Sequence, residues 1–355
     1  MLSKAYINLG AIKRNAKRVR EKLPSTVKFC AVVKSDGYGH GLERVALSLY
    51  RICDCFAVSN IDEGVKLRRA GIDKQILVLV PCVANFTERA IDERLTLAVQ
   101  SVNDLELIGR LCAKTESKCK VQIAFNSGMN RFGADLDELK KMLEFIAGQK
   151  DIILDGAFSH YAKPESKKQR ETAKKRFLLA NKLVKHYNNS ATCHISASGG
   201  FLKGDYMDMV RIGILLYGYK PFDSDFKVEP AMKVFSPVIS VRRLSRGEGC
   251  LYGLKKAKKK TGVSIVGYGY ADGLPRRKCK RQFSNKCMDA CAVKEIKKGY
   301  LSVMDNANLL AKEYGTISYE ILTKSALRAE KYITRFKSVG FCVSINHRLT
   351  NEGEK

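Results

Sequence analysis

The chain predicts an α/β fold, an N-terminal (β/α)8 TIM-type barrel followed by a C-terminal mainly β domain, and three observations lead there. Its 355 residues exceed what one hydrophobic core ordinarily holds, roughly 250–300 residues, so two units are expected. Between residues 9 and 225, short β-branched runs alternate about eight times with longer amphipathic stretches, a count that suits a barrel better than a doubly wound sheet. After Pro221-Phe222-Asp223-Ser224-Asp225 the strand signals continue without intervening helices, as in a separate β domain.

The barrel strand candidates are Phe29–Val33, Phe56–Val58, Gln75–Val80, Leu97–Val99, Lys120–Ala124, Ile153–Phe158, Thr192–Ile195 and Gly213–Tyr217, apolar runs short enough to be buried strands. Between them Leu42–Leu49, Ile61–Ala70, Val102–Thr115, Asp135–Ala147 and Ser166–Tyr187 place apolar residues three and four apart, the spacing of a helix with one buried face. Beyond residue 226 the strand signals are Ala231–Leu244, Ser264–Gly267 and Leu301–Met304. The expected division is a barrel over 1–225, a β domain over 226–340 and a frayed polar tail over 341–355, with the first strand, about residues 1–8, joining the β domain.

Composition narrows the function classes. Hydrophobic residues make up 45% and charged residues 28% of the chain, ordinary for a globular protein, and no segment reaches the ~20 apolar residues of a membrane helix. The N-terminus lacks the basic-then-apolar layout of a secretory signal, so a cytoplasmic location is expected. The twelve cysteines are scattered, several inside apolar runs as Cys30 and Cys82 are, and read as buried reduced thiols; no zinc spacing is present and no metal is expected. Lysine and arginine outnumber aspartate and glutamate 64 to 36, a net charge of +28, which invites a nucleic-acid reading. The basic residues are spread along the chain, however, and the dense runs at 255–260 and 276–281 carry no interleaved aromatics for base stacking. Solvated basic faces, with some attraction for an anionic ligand, are the expectation, and neither nucleic acid nor membrane is a predicted partner.

The chemistry begins at Ala31-Val32-Val33-Lys34, an apolar strand ending in a lysine that runs into Ser35-Asp36-Gly37-Tyr38-Gly39-His40-Gly41. In a barrel this sets Lys34 at the mouth where active sites sit. Partial desolvation there lowers an amine's pKa and makes it a usable nucleophile toward an aldehyde cofactor, the alternative on position alone being a lysine that only snorkels from the strand end. Further along stand Ser127-Gly128-Met129-Asn130-Arg131-Phe132-Gly133, Ser159-His160-Tyr161-Ala162, His194 with Ser198, Arg211-Ile212-Gly213-Ile214-Leu215-Leu216-Tyr217-Gly218, Gly269-Tyr270-Ala271-Asp272-Gly273-Leu274-Pro275-Arg276, Cys287-Met288-Asp289 and Gly315-Thr316-Ile317-Ser318-Tyr319-Glu320.

Through these motifs, met in one order along nearly the whole chain, the sequence resembles the alanine racemases, isomerases of the fold type III group that depend on pyridoxal 5'-phosphate. The resemblance implies interconversion of L- and D-alanine, which supplies D-alanine for peptidoglycan. A racemase must take a proton from one face of a planar centre and return one to the other, so it needs two acid/base groups. The resemblance assigns these roles to Lys34, which also carries the cofactor, and to Tyr270. It further implies that Tyr38, Ser198, Gly213, Ile214 and Tyr319 hold the phosphate, that Arg211 faces the pyridine nitrogen and that His160 is also at the cofactor, Arg211 and His160 being the candidates for the cationic charge Tyr270 needs to act as a base at neutral pH. Arg131 and the backbone of Met288 would bind the substrate carboxylate, and a homodimer would bring Tyr270 and Met288 across the interface. Arginine does not readily give up a proton, so it would keep the cofactor a weak electron sink and suppress side reactions.

The chain also departs from the family. Ala124 stands where many members carry a lysine that orients the arginine, which makes Asn126 or a bound anion the candidate support for Arg131, and Ala197 replaces an asparagine. Thirteen residues separate Gly273 from Cys287, and the stretch from Asp289 to Thr316 is short as well, so the β domain is trimmed. The competing readings are a serine or broad-specificity racemase on the same parts, a related decarboxylase lacking the tyrosine motif, and a pyridoxal-phosphate-binding homologue with weak or no turnover.

Overall fold

The fold is that of a computed structural model, which describes residues 3–81 and 87–334. Cys82 and the expected tail over 341–355 lie outside the described residues. The chain opens with β1 (Lys4–Ile7) and a helix over Leu9–Lys22, started by Asn8, whose Oδ1 accepts from Ala11 N–H at 2.9 Å. Eight parallel strands then follow: β2 (Lys28–Val32), β3 (Cys55–Val58), β4 (Ile76–Val78), β5 (Thr96–Val99), β6 (Cys119–Ala124), β7 (Ile152–Phe158), β8 (Thr192–His194) and β9 (Met209–Ile212). They pair in the order β8-β7-β6-β5-β4-β3-β2-β9. Between the two outermost strands, Arg211 N–H donates to Ser196 O at 3.0 Å and Asp208 N–H to Cys193 O at 3.2 Å, which closes the barrel.

Helices Leu42–Leu49, Ile61–Arg69, Val102–Thr115, Leu136–Ala147 and Lys167–Tyr187 fall where the apolar spacing predicts them. The first buries Leu42, Val45, Ala46 and Leu49, and each of the leucine and valine side chains contributes roughly 1.5–3 kcal/mol of apolar burial. Side chains of Asn60, Ser101, Asp135 and Ser166 cap the later ones by accepting from the N–H three residues on. These caps satisfy donors that a helix start otherwise leaves bare.

One strand assignment is corrected. The last barrel strand is Met209–Ile212, and residues 213–217, read from sequence as a strand, form a series of tight turns in which Leu216 N–H donates to Gly213 O at 2.9 Å. The apolar run Ile214-Leu215-Leu216 is fully buried, and periodicity alone does not separate a buried strand from a buried turn.

The second sheet has the order β14-β13-β10-β1-β16, with β15 also on β10. Its strands are β10 (Met232–Leu244), β13 (Thr261–Val266), β14 (Cys291–Val293), β15 (Tyr300–Met304) and β16 (Glu330–Ile333), while β11 (Gly249–Cys250) and β12 (Lys255–Lys256) make a separate hairpin. β1 lies between β10 and β16. Helices over Ala307–Tyr314 and Ser318–Ser325, unanticipated in a run of strand signals, sit between β15 and β16. One apolar core runs through both sheets, from Phe29 and Val121 to Val266 and Leu301.

Candidate active site

The mouth of the barrel and the helix Ser318–Ser325 enclose a cavity of about 790 Å³ whose lining includes Lys34, Tyr38, Arg131, His160, Ser198, Arg211, Gly213, Ile214 and Tyr319. Each of the barrel residues comes from the C-terminal end of a strand or the loop after it, the position where this architecture gathers chemistry. Sequence residues far apart are therefore brought into one site, with two exceptions described below.

Lys34 begins an uncommon stretch of backbone. Ser35, Asp36, Gly37, Tyr38 and Gly39 all have positive φ, a left-handed turn in which each non-glycine residue costs roughly 1–2 kcal/mol. Local bonds hold it: Gly37 N–H donates to Val33 O at 2.8 Å, Gly39 N–H to Ser35 O at 2.9 Å, Leu42 N–H to Asp36 Oδ1 at 2.9 Å, and Lys331 pairs with Asp36. His40, fully buried, donates from Nδ1 to Tyr38 O at 2.9 Å. Gly39 is required for contact as well as for φ, since a Cβ there would lie 2.6 Å from Leu322 O in the helix that covers the site. The result presents the Lys34 amine to the cavity, where burial first, and the charge of Arg131 after it, hold its pKa below the ordinary lysine value.

Arg211 is 4% exposed. Its Nη1 donates to His194 Nδ1 and, at 3.3 Å, to His194 O; its Nη2 donates to Ser159 O at 2.6 Å and Ile195 O at 3.2 Å, and reaches His160 Nδ1 at 3.4 Å. Among the described residues no carboxylate pairs with it. Burial brings Arg211 down to about 10, so it remains a cation at neutral pH. Burial, then Arg211, Arg131 and Lys34, drive His160 down to about 3. His160 is therefore neutral, so of the two cations expected to help Tyr270 only Arg211 carries charge; because Arg211 can only donate, His160 Nδ1 accepts and its proton sits on Nε2.

Facing this group is a set of polar atoms arranged for an anion. Ile214 N–H and the hydroxyls of Tyr38 and Tyr319 donate to no acceptor among the described residues, although all three residues line the cavity. Gly213 N–H donates to Ser198 Oγ at 3.2 Å. Gly213 must be glycine for a steric reason, because a Cβ would stand 2.6 Å from Tyr38 Oη. The rings of Tyr38 and Tyr217 stack with centroids 4.6 Å apart, and Tyr38 meets Tyr319 at 6.1 Å. These unpaired donors, a desolvated amine, and a buried guanidinium without a counter-ion fit a phosphorylated aldehyde with a heteroaromatic ring.

Arg131 also lines the cavity, with its guanidinium 4.5 Å over the Phe132 ring and no hydrogen-bond partner among the described residues. The expected support from Asn126 is absent. Asn126 Nδ2 donates to Asn130 Oδ1 at 2.9 Å, and its Oδ1 accepts from Gly128 N–H and Asn130 N–H, so it organises the loop that carries Arg131 and leaves the guanidinium free for a ligand.

Tyr270 and Met288 are the exceptions. They stand together but outside the cavity of their own chain, 39% and 55% exposed. Tyr270 N–H donates to Cys287 O and Ala271 N–H to Met288 O, both at 3.0 Å. Gly269 makes that approach possible, since a Cβ there would fall 1.9 Å from Met288 O. The segment between them is ordered around Lys286, 1% exposed, whose amine donates to Pro275 O at 2.9 Å, Arg277 O and Gln282 Oε1 at 3.1 Å, and Tyr314 Oη at 2.6 Å. Sequence reasoning missed Lys286, and it missed Gln122 beneath His194; a lone polar residue inside the apolar run of β6 was the available signal. No group of three or more His, Cys, Asp or Glu among the described residues forms a metal cluster, and no described helix is long and apolar enough to cross a membrane.

Comparison with known proteins agrees with this fold. The family model for the alanine racemase N-terminal domain matches residues 7–221, and that for the alanine racemase C-terminal domain matches residues 231–333. An alanine racemase of Francisella philomiragia is 29% identical over 354 residues, covering 89% of this chain and 96% of its own. The solved alanine racemase of Bacillus anthracis with bound L-Ala-P superposes with a TM-score of 0.87 at 28% identity, covering 94% of this chain and 95% of that one. The Bartonella henselae enzyme, solved with covalently bound pyridoxal phosphate, shares the fold with a TM-score of 0.83 at 23% identity, over 94% and 100% of the two chains. With both halves of the chain matched by the paired domain models, the chain belongs to the alanine racemase family, whose members depend on pyridoxal phosphate.

Proposed function

We propose that the chain racemises alanine, with Lys34 and the partner subunit's copy of Tyr270 as the two proton-handling groups. The working division is a barrel over 1–225 and a β domain over 226–340. Membership in the family supports the activity; the observation that carries the site is a desolvated lysine amine sharing one cavity with a buried arginine that has no counter-ion. When bound, pyridoxal phosphate supplies an electron sink that makes the substrate's Cα–H acidic. Lys34 is the residue to hold it covalently, with Tyr38, Ser198, Gly213, Ile214 and Tyr319 around the phosphate and Arg211 at the ring nitrogen. The lowered Lys34 pKa makes its neutral, proton-accepting form easier to reach than that of an ordinary lysine. Arg131 orients the substrate carboxylate, and the Met288 backbone assists from the partner.

Tyr270 is exposed and absent from its own chain's cavity, which favours donation in trans. Mixing two inactive variants, Lys34→Ala and Tyr270→Phe, tests both assignments at once. Supply in trans rebuilds one intact site in every heterodimer and returns about a quarter of the wild-type activity at statistical mixing. Supply in cis returns none. Running L-alanine and L-serine in parallel sets the side-chain preference.

A further inference from the structure

The hydrogen bonds of Arg211 do not end at His194. His194 Nε2 lies 2.8 Å from Gln122 Oε1, and Gln122 Nε2 donates to Asp155 Oδ2 at 2.8 Å. Gln75 Nε2 donates to the same carboxylate oxygen at 2.6 Å and to Thr96 Oγ1 at 3.0 Å. A line of side chains thus descends from β9 through β8 and β6 to β7. His194 and Gln122 are essentially inaccessible to solvent, and the imidazole stacks on Phe158 with centroids 5.6 Å apart and planes 12° from parallel.

Every link has a forced direction. Arg211 can only donate, so His194 Nδ1 must accept, and the single proton of a neutral imidazole must then sit on Nε2. That proton needs an oxygen, but an amide side chain presents oxygen or nitrogen according to its rotation. Asp155 can only accept, and so it holds the amide with its nitrogen downward and its oxygen toward His194. We propose that Asp155 and Gln122 are positioning residues that latch His194 in its Nε2–H tautomer and thereby aim the guanidinium of Arg211 into the cavity. The inference rests on the reading that Arg211 serves the reacting ring, while the latch itself is a property of the polypeptide alone. Burial, followed by the charge of Arg211, keeps His194 far below the ordinary histidine range, consistent with a single neutral form.

The test uses the purified enzyme with ¹⁵N-labelled histidine, the His194 signals being assigned through His194→Asn. The expected result is one neutral Nε2–H tautomer in wild type from pH 5.5 to pH 9. Gln122→Met and Asp155→Leu mix the tautomers and lower kcat about 10²-fold, the usual effect of a misaimed group, with KM for alanine little changed. Asp155→Asn, which can still accept from Gln122, keeps the tautomer and loses much less. A wild-type Nδ1–H tautomer or an imidazolium at pH 6 overturns the latch, and that measurement holds even where a variant fails to fold. Unchanged tautomer and kcat in folded Gln122→Met overturn it as well. A latched His194 in a protein without racemase activity would support the latch and refute the proposed function, so the two failures are distinct.

Discussion

Lys286 offers the most quantitative check on how the segment between Tyr270 and Met288 is held. Its amine is enclosed by two carbonyls, an amide oxygen and the Tyr314 hydroxyl, with no carboxylate among those partners. Burial lowers it from 10.5 to about 8. The unfolded chain therefore binds a proton between pH 8 and pH 10.5 that the folded chain releases, and stability rises as pH increases through that window. A displacement of this size corresponds to roughly 3 kcal/mol, an upper figure because neighbouring groups relax. That stabilisation is present above pH 10.5 and is lost as pH falls through 8. Urea unfolding followed by far-ultraviolet circular dichroism, at fixed protein concentration, should show the midpoint climbing from pH 7.5 to pH 10.5 relative to Lys286→Met. Parallel curves for the two proteins would refute the argument. The consequence reaches the site, since Cys287, the next residue, accepts the Tyr270 N–H.

The glycines give sharper tests. Gly213→Ala should push the Tyr38 hydroxyl aside and weaken cofactor retention, and Tyr38→Phe in the same chain should restore part of it, because the closest clash is with that oxygen; equilibrium dialysis of pyridoxal phosphate reads both. Gly269→Ala should separate Tyr270 from Met288 and remove most activity, while the absorbance of bound cofactor stays, a combination a visible spectrum and a coupled D-alanine assay resolve. Tyr270→Phe should lower kcat by about 10²–10⁴-fold with the colour intact, whereas Lys34→Ala should lose the visible band. An unchanged band in Lys34→Ala would reject Lys34 as the cofactor's attachment point.

Much of this was legible in the sequence, and what was not failed for identifiable reasons. The helices from Leu42 to Tyr187 could be read because each of the five buries one stripe of apolar residues against the barrel and all but the first begin at a capping side chain, features written locally. The run at 213–217 misled because its burial is supplied on all sides by the tertiary structure, which erases the periodic signal. The helices at 307–314 and 318–325 are short and were overlooked, yet the second carries Tyr319 and covers the mouth of the site. Lys34 and Arg211 were found through their motifs; the network beneath them was not, since Gln122 and Asp155 have meaning only once β6, β7 and β8 lie side by side. Tyr270 is the opposite case: its motif is local and clear, but it stands outside the cavity of its own chain, and only the proposed dimer gives it a site to serve.

The charge of the molecule acquires a different meaning once the site is placed. A net +28 spread over the surface is screened within about 8–10 Å at ordinary ionic strength and selects nothing in particular. Inside the cavity, Lys34, Arg131 and Arg211 depress one another's pKa or share the same neighbours, and His160 is held neutral by them. A third or fourth unneutralised cation would be costly in so enclosed a space. On the proposed reading the ligand brings the offsetting negative charge, a phosphate at the Tyr38 and Ile214 end and a carboxylate at the Arg131 end. The basicity of Lys34, lowered first by burial, is lowered further by the charges of Arg131 and Arg211. Binding an anion at Arg131 removes part of the repulsion that lowers the amine's pKa, which ties proton affinity on one face of the substrate to the arrival of the substrate itself.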